Sequence, residues 1–247
     1  MAQQTSIYQQ PRALTAERHR DWTIAVQQAN YRFAANLVAV PIMASEFGAV
    51  ALEYPIVFAR GGDQAVGPLA LVGLRDGENL FVSPEGQWTG RYVPALLRQY
   101  PFGFAEGTDT SPSLLCIDEA SPLLRQDGTG EALFDANGAT TPYLNKIVEF
   151  ANAMMRARKI TQLLGERLKT LDLLSERKLT FTETDGRQST VSGFATVDRE
   201  KLHALPAETV QELLTSGVLE LIHGHLLSLN CRERLRERLT PRPDNLH

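Results

Sequence analysis

Two rhythms of apolar and polar positions run along this chain. From Asn36 to Asp118 short apolar runs are cut by glycine and proline, the pattern of short, well-covered strands. Asn36–Val40, Pro55–Ala59, Leu69–Leu74, Asn79–Val82 and Ser113–Ile117 are predicted as strands. Arg75-Asp76-Gly77-Glu78 separates two of them and predicts a hairpin, because glycine reaches positive φ at little cost. One helical excursion, Val93–Gln99, is predicted with Pro94 near its first turn.

At Thr141 the period changes to 3.6. Thr141-Pro142 reads as an N-cap followed by a proline at the first helical position. Tyr143, Leu144, Ile147, Val148, Ala151, Met154 and Met155 form an apolar stripe, continued by Ile160, Leu163, Leu164, Leu168 and Leu171. Gly165 is expected to divide this run into two helices. The stripe can pack inward or form a dimer seam, and inward packing is the default. Lys178–Thr184 and Gln188–Thr196 flank Asp185-Gly186 and predict a β-hairpin. Pro206–Ser216 is predicted as a helix, with Glu208 in its first turn and Gly217 closing it. Leu219–Leu239 fits a helix better than a strand, since Leu221, Ile222, His225, Leu226 and Leu229 share a face.

The expected organisation is an arm and short helix over residues 1–35, a β-rich region over 36–140 and a helical region with one hairpin over 141–247. Residues 1–13 read as a flexible or draped arm, and a short helix is expected from about Thr15. The fold class is α+β: a mostly antiparallel β half packed with a helix-rich half, either as separate domains or as one interlocked core.

Composition narrows the functional classes. The 247 residues carry 29 acidic and 25 basic side chains, a formal charge of −4, which argues against dominant nucleic-acid binding. Basic residues concentrate at Arg156–Lys178 and Arg232–Arg242, runs that read either as solvated helix faces or as a site for an acidic partner or membrane surface. Cys116 and Cys231 are too few and too far apart for a disulfide framework or a zinc cluster. Phe33–Ala59 is the most apolar stretch, but Asn36, Pro41, Glu46, Gly48, Glu53 and Pro55 break it, so no membrane span is expected. The first residues do not read as a secretory signal, and a cytoplasmic location is expected.

The standard catalytic and cofactor motifs are missing: no phosphate-binding loop, no dinucleotide fingerprint, no nucleophile elbow. No cofactor and no metal site is predicted. His223 and His225 would share a face on a strand and diverge on a helix, so the helical reading leaves His225 on the apolar side as a structural histidine and His223 outside. Asp118-Glu119 and Asp135 sit at turns, where capping of backbone amides competes with acid–base chemistry.

The densest segment runs from Trp88 to Phe102. It holds Trp88, Arg91, Tyr92, Arg98 and Tyr100, the residue types that dominate binding surfaces through large contact area and directional polar tips. Arg91 or Arg98 could clamp a carboxylate. The competing reading places the aromatic residues in the core and the arginines in internal ion pairs. Tyr54-Pro55 and Tyr100-Pro101 are both aromatic–proline steps, where a cis bond occurs but cannot be assigned from sequence.

The same segment, with its surroundings, resembles the SapC family of bacterial proteins. The resemblance is carried by Glu46-Phe47, Tyr54-Pro55-Ile56-Val57-Phe58, Leu71-Val72-Gly73-Leu74, and Gly77 through Val82 to Trp88. It continues in Tyr92-Val93-Pro94-Ala95, Arg98, Tyr100-Pro101-Phe102, Cys116-Ile117-Asp118, Leu133-Phe134-Asp135, Val197-Asp198, Lys201-Leu202 and His225 through Leu229. It implies a role near surface-layer protein export or outer-membrane uptake. Family members are also labelled peptide-transport permeases, which conflicts with the missing span. Related proteins tend to be encoded near outer-membrane receptors, flavin-dependent halogenase-like proteins and cupin-type oxygenases. No catalytic residues follow from the resemblance.

Two functional readings result. The first is an accessory protein that recognises a protein or peptide through Trp88, Arg91, Tyr92, Arg98 and Tyr100. The second is an enzyme, or enzyme subunit, that modifies a peptide or an amino-acid side chain, with Asp118, Glu119, Asp135 and His225 converging in space.

Overall fold

The computed structural model describes residues 7–25, 30–61, 65–105, 114–182, 186 and 188–239. In chain order these form β1 (Pro11–Ala13), α1 (Ala16–His19), β2 (Thr23–Ile24), β3 (Ala39–Pro41), α2 (Phe47–Val50), β4 (Ile56–Arg60) and β5 (Val66–Leu71). Next come α3 (Ala95–Gln99), β6 (Phe102–Ala105), β7 (Leu114–Asp118), β8 (Leu124–Arg125), β9 (Glu131–Ala132) and α4 (Pro142–Thr170). The chain continues with β10 (Leu174–Thr182), β11 (Gln188–Val197), α5 (Arg199–His203), α6 (Ala207–Thr215), α7 (Val218–Ser228) and α8 (Arg232–Glu237).

Every strand pairing among the described residues is antiparallel. The sheets have orders β1-β7-β6, β10-β11-β4-β5-β3 and β8-β2-β9. With strands concentrated before α4 and long helices after it, the class is α+β. The five-stranded sheet takes strands from both sides of position 140. The largest core cluster does the same, running from Val40, Tyr54 and Phe58 to Leu164, Ile222 and Leu235. A smaller cluster of Ile24, Phe102, Ile117, Leu133, Phe134 and Leu144 draws on β2, β6, β7 and the first turn of α4.

The β11–β4 seam is narrow, with one paired position, Ala195 opposite Phe58. His225 of α7 supplies what the ladder leaves out. Its Nδ1 donates to the Ile56 carbonyl at 2.8 Å, and its Nε2 accepts from the Val197 amide at 3.0 Å. Ser228, one turn on, accepts from the Ile56 amide at 2.8 Å. The helix therefore satisfies backbone groups of both strands, which would otherwise be buried without partners.

Several sequence expectations need correction. Thr141 caps α4 through its hydroxyl, as predicted, but Gly165 does not divide the helix, which runs unbroken for 29 residues. Gly165 is instead the point of closest approach to the sheet: a β-carbon there would lie 2.0 Å from the Val66 carbonyl oxygen. The apolar stripe of α4 is only partly covered. Leu144, Ala151, Leu164 and Leu168 are buried, while Met155, Ile160 and Leu163 face outward. Their angular positions fall outside the arc that touches the sheet.

Asn79–Val82 is not a strand. Its order comes from Asn79, whose amide donates to Ala34 O and accepts from Phe81 N, and from one isolated bridge, Val82 to Trp88. The turn at Gly77 exists, with φ of +74°, but it joins β5 to this irregular stretch rather than to a second strand. Pro11–Ala13 is a strand against β7 rather than a draped arm. Residues 1–6, Ser113, Asp185 and Thr240–Arg242, which belonged to the predicted arm, strand, hairpin turn and basic run, lie outside the described residues, as does His247.

Candidate functional site

The segment from Trp88 to Tyr100 is held by carboxylates the sequence reading did not single out. Glu53 accepts from the Arg91 amide at 2.9 Å and the Tyr92 amide at 3.0 Å. Glu46, almost fully buried, accepts from the Tyr92 hydroxyl at 2.9 Å, the Ala95 amide at 2.7 Å and the Met43 amide at 2.7 Å. These acids bracket α2, so a short helical stretch fixes the path of residues 91–95 through charge-assisted bonds, roughly twice as strong as neutral ones. Their sequence signal was an acidic residue on each side of an apolar stretch, in Glu46-Phe47 and Glu53-Tyr54-Pro55.

Trp88 is half-buried. Its indole N–H points to the Tyr92 carbonyl at 3.0 Å and the Tyr54 hydroxyl at 3.2 Å, and its ring stacks on Phe81 with centroids 5.7 Å apart. Gly90 makes this possible, since a β-carbon there would lie 2.3 Å from the Tyr54 hydroxyl and 2.7 Å from the indole nitrogen. Burial raises the pKa of Tyr54, with the Glu53 charge adding to the shift, so this phenol stays protonated. Tyr92 is raised for the same reasons, burial first and Glu46 second.

Arg98, exposed on α3, lies against this framework. Its Nε donates to Val93 O at 3.1 Å and its Nη2 to the Tyr92 hydroxyl at 3.3 Å. The guanidinium carbon sits 5.6 Å from the Tyr92 ring centroid and 5.4 Å from that of Phe150. No carboxylate pairs with it among the described residues. Arg91 is also exposed, its backbone held by Glu53. A second guanidinium reaches the platform from the C-cap of α8: Arg238 lies 4.2 Å from the Phe81 centroid and donates to the Thr89 hydroxyl at 2.9 Å. Sequence spacing could not reveal that contact across 149 positions.

Tyr100 turns the other way. It is 8% exposed, stacks on Phe33 at 3.9 Å and donates to Asp118 at 3.2 Å. The structure thus groups Trp88, Tyr92 and Arg98, keeps Arg91 beside them at the surface and sends Tyr100 inward. The Tyr100–Pro101 bond is cis.

The candidate acid–base residues remain in separate hydrogen-bond sets. Asp118 is fully buried and accepts from the amides of Gln9, Gln10 and Ala120. Asp135 caps the amides of Asn137 and Ala139. Glu119 pairs with Arg18, which holds its carboxyl below the usual range, and also contacts His19. Both nitrogens of His225 are spent on backbone groups, while His223 is exposed and bonds Leu219 O. No hydrogen bond joins any two of these four residues.

Residues 14–235 match the SapC family model. The chain belongs to the SapC family. The matched span contains the whole Trp88–Tyr100 segment of this SapC protein and both carboxylates that hold it. No curated protein and no solved structure matches the chain. Among the described residues of the SapC chain, no helix is long and apolar enough to cross a membrane, and no group of three or more His, Cys, Asp or Glu side chains could hold a metal ion.

Proposed function

We propose that this SapC-family protein is a cytoplasmic accessory protein of bacterial surface-layer protein export or outer-membrane transport, and that it recognises a protein or peptide partner. The observation that carries this reading is Arg98. Its guanidinium is exposed, held by Val93 O and the Tyr92 hydroxyl, and braced by two aromatic rings. A cation positioned in advance loses less side-chain freedom on binding than a free surface arginine. Beside it, Trp88 and Tyr92 offer rigid aromatic area, and Arg91 adds a second cation at the rim. Tyr100 enters as a support for the end of α3, since its ring is covered.

The test is affinity capture from native lysate, with wild type beside Arg91→Ala/Arg98→Ala, whose exposed side chains can be removed without opening the core. Stoichiometric recovery of an exporter, receptor or oxygenase component, lost in the double variant, is expected. Equal recovery by the variant overturns the assigned face, and recovery of none of these components overturns the reading.

A further inference from the structure

β10 lies at the end of the five-stranded sheet, and among the described residues no strand pairs with its outer side. Its two halves differ. Glu176, Arg177 and Lys178 place three consecutive charges on the strand, followed by a register shift between Arg177 and Leu179, where Gly193 of β11 takes φ of +86°. Charges and a bulge are ordinary protections of a sheet edge against pairing with another chain. Beyond the bulge, Leu179-Thr180-Phe181-Thr182 has neither, and these residue types favour strand pairing.

This unprotected half lines a groove of about 380 Å³ whose other wall is α8, through Arg232, Glu233 and Arg236, with Leu74 also lining it. Four arginines of the C-terminal stretch lie among the described residues, and they divide by task. Arg234 and Arg238 reach backbone groups, Leu52 O at 2.7 Å and Thr89 O at 3.5 Å. Arg232 and Arg236 line the groove and share one carboxylate, Glu233, at 3.5 and 3.7 Å. Those pairs are well exposed, so giving up either contact costs little. The groove therefore combines an unpaired run of backbone donors and acceptors with two guanidinium groups against a single acid.

We propose that this groove binds an extended acidic peptide segment, which adds as a sixth strand along Leu179–Thr182 and turns aspartate or glutamate side chains at alternate positions toward Arg232 and Arg236. Main-chain bonds to β10 supply affinity, and the arginines select the side chains. The spacing agrees: four residues of helix advance about 6 Å, and two residues of strand advance about 6.6 Å. This surface is separate from the Arg98 face and does not depend on the reading of that face.

The test is panning of the immobilised full chain with a random heptapeptide display library, followed by titration of a labelled synthetic copy of an enriched sequence. Enriched peptides are expected to carry Asp or Glu at alternate positions among β-branched residues. Their Kd rises at least tenfold with Arg232→Glu/Arg236→Glu, and by as much when alternate peptide amides are N-methylated in the register facing β10. Arg98→Ala leaves it unchanged, which separates failure here from failure of the other face. Selection without acidic residues, or a Kd indifferent to both the charge reversal and N-methylation in either register, overturns the proposal. The methylated peptides keep the test valid even if the charge-reversed protein folds poorly.

Discussion

At the scale of single residues, several titratable side chains near the core act on backbone groups, among them Glu46, Asp118 and His225. His225 is the clearest case. Burial pushes its pKa down to about 4, against an ordinary value of 6.5, because an imidazolium between Ile56 O and Val197 N would be desolvated and would face an amide donor. The unfolded chain therefore binds more protons than the folded one between those two values. The stability that neutral His225 contributes is complete above pH 6.5 and is lost as pH falls toward 4, by an amount on the order of 3 kcal/mol. Urea unfolding at steps from pH 7.5 to 4.5 should show the midpoint falling in wild type. His225→Gln should start less stable and show a flatter slope. An identical slope in both would show that another group governs the window. Glu119, held low by Arg18, contributes mainly below it.

At the scale of elements, two glycines test how helices meet the rest of the molecule. Gly165 lies in the middle of a helix, where alanine would ordinarily be favoured by roughly 1 kcal/mol. Here the added methyl meets the Val66 carbonyl, so Gly165→Ala should push α4 away from β5 and cost about 1–3 kcal/mol. Gly48 in α2 has nothing within 4 Å of a built β-carbon, and Gly48→Ala should stabilise by a few tenths to about 1 kcal/mol. Thermal melts of the two variants should move in opposite directions. A rise in Tm for Gly165→Ala would mean that the helix–sheet contact is looser than the structure has it.

At the scale of the whole molecule, the change of rhythm at Thr141 does not divide the five-stranded sheet or the main core. β4 and β5 precede it, while β10, β11 and the covering helices α4 and α7 follow. A fragment of residues 1–140 would leave Ile56 and Phe58 without His225 and Ser228 of α7, which pack on them and bond the Ile56 backbone. It should give a near-ultraviolet circular dichroism spectrum without fixed aromatic bands, and poorly dispersed amide signals in NMR. A dispersed, cooperative fragment would show that the β-rich half folds by itself.

The sequence by itself determined what local rules control. The N-cap at Thr141, the helix class of α7, the turn at Gly77 and the capping role of Asp135 were legible because each depends on residues a few positions apart, whereas Asp118 caps Ala120 locally and the distant Gln9 and Gln10 amides as well. The family was legible because an ordered set of short runs can be recognised without a fold. Only the tertiary structure decided the rest. It spared α4 a break at Gly165, turned Tyr100 inward while leaving Arg98 at the surface, brought Glu46, Glu53 and Arg238 to the same segment, and left half of β10 unpaired beside α8. Those outcomes depend on contacts between residues far apart in the chain, where a side chain's partner is set by how the elements pack and not by its neighbours in sequence.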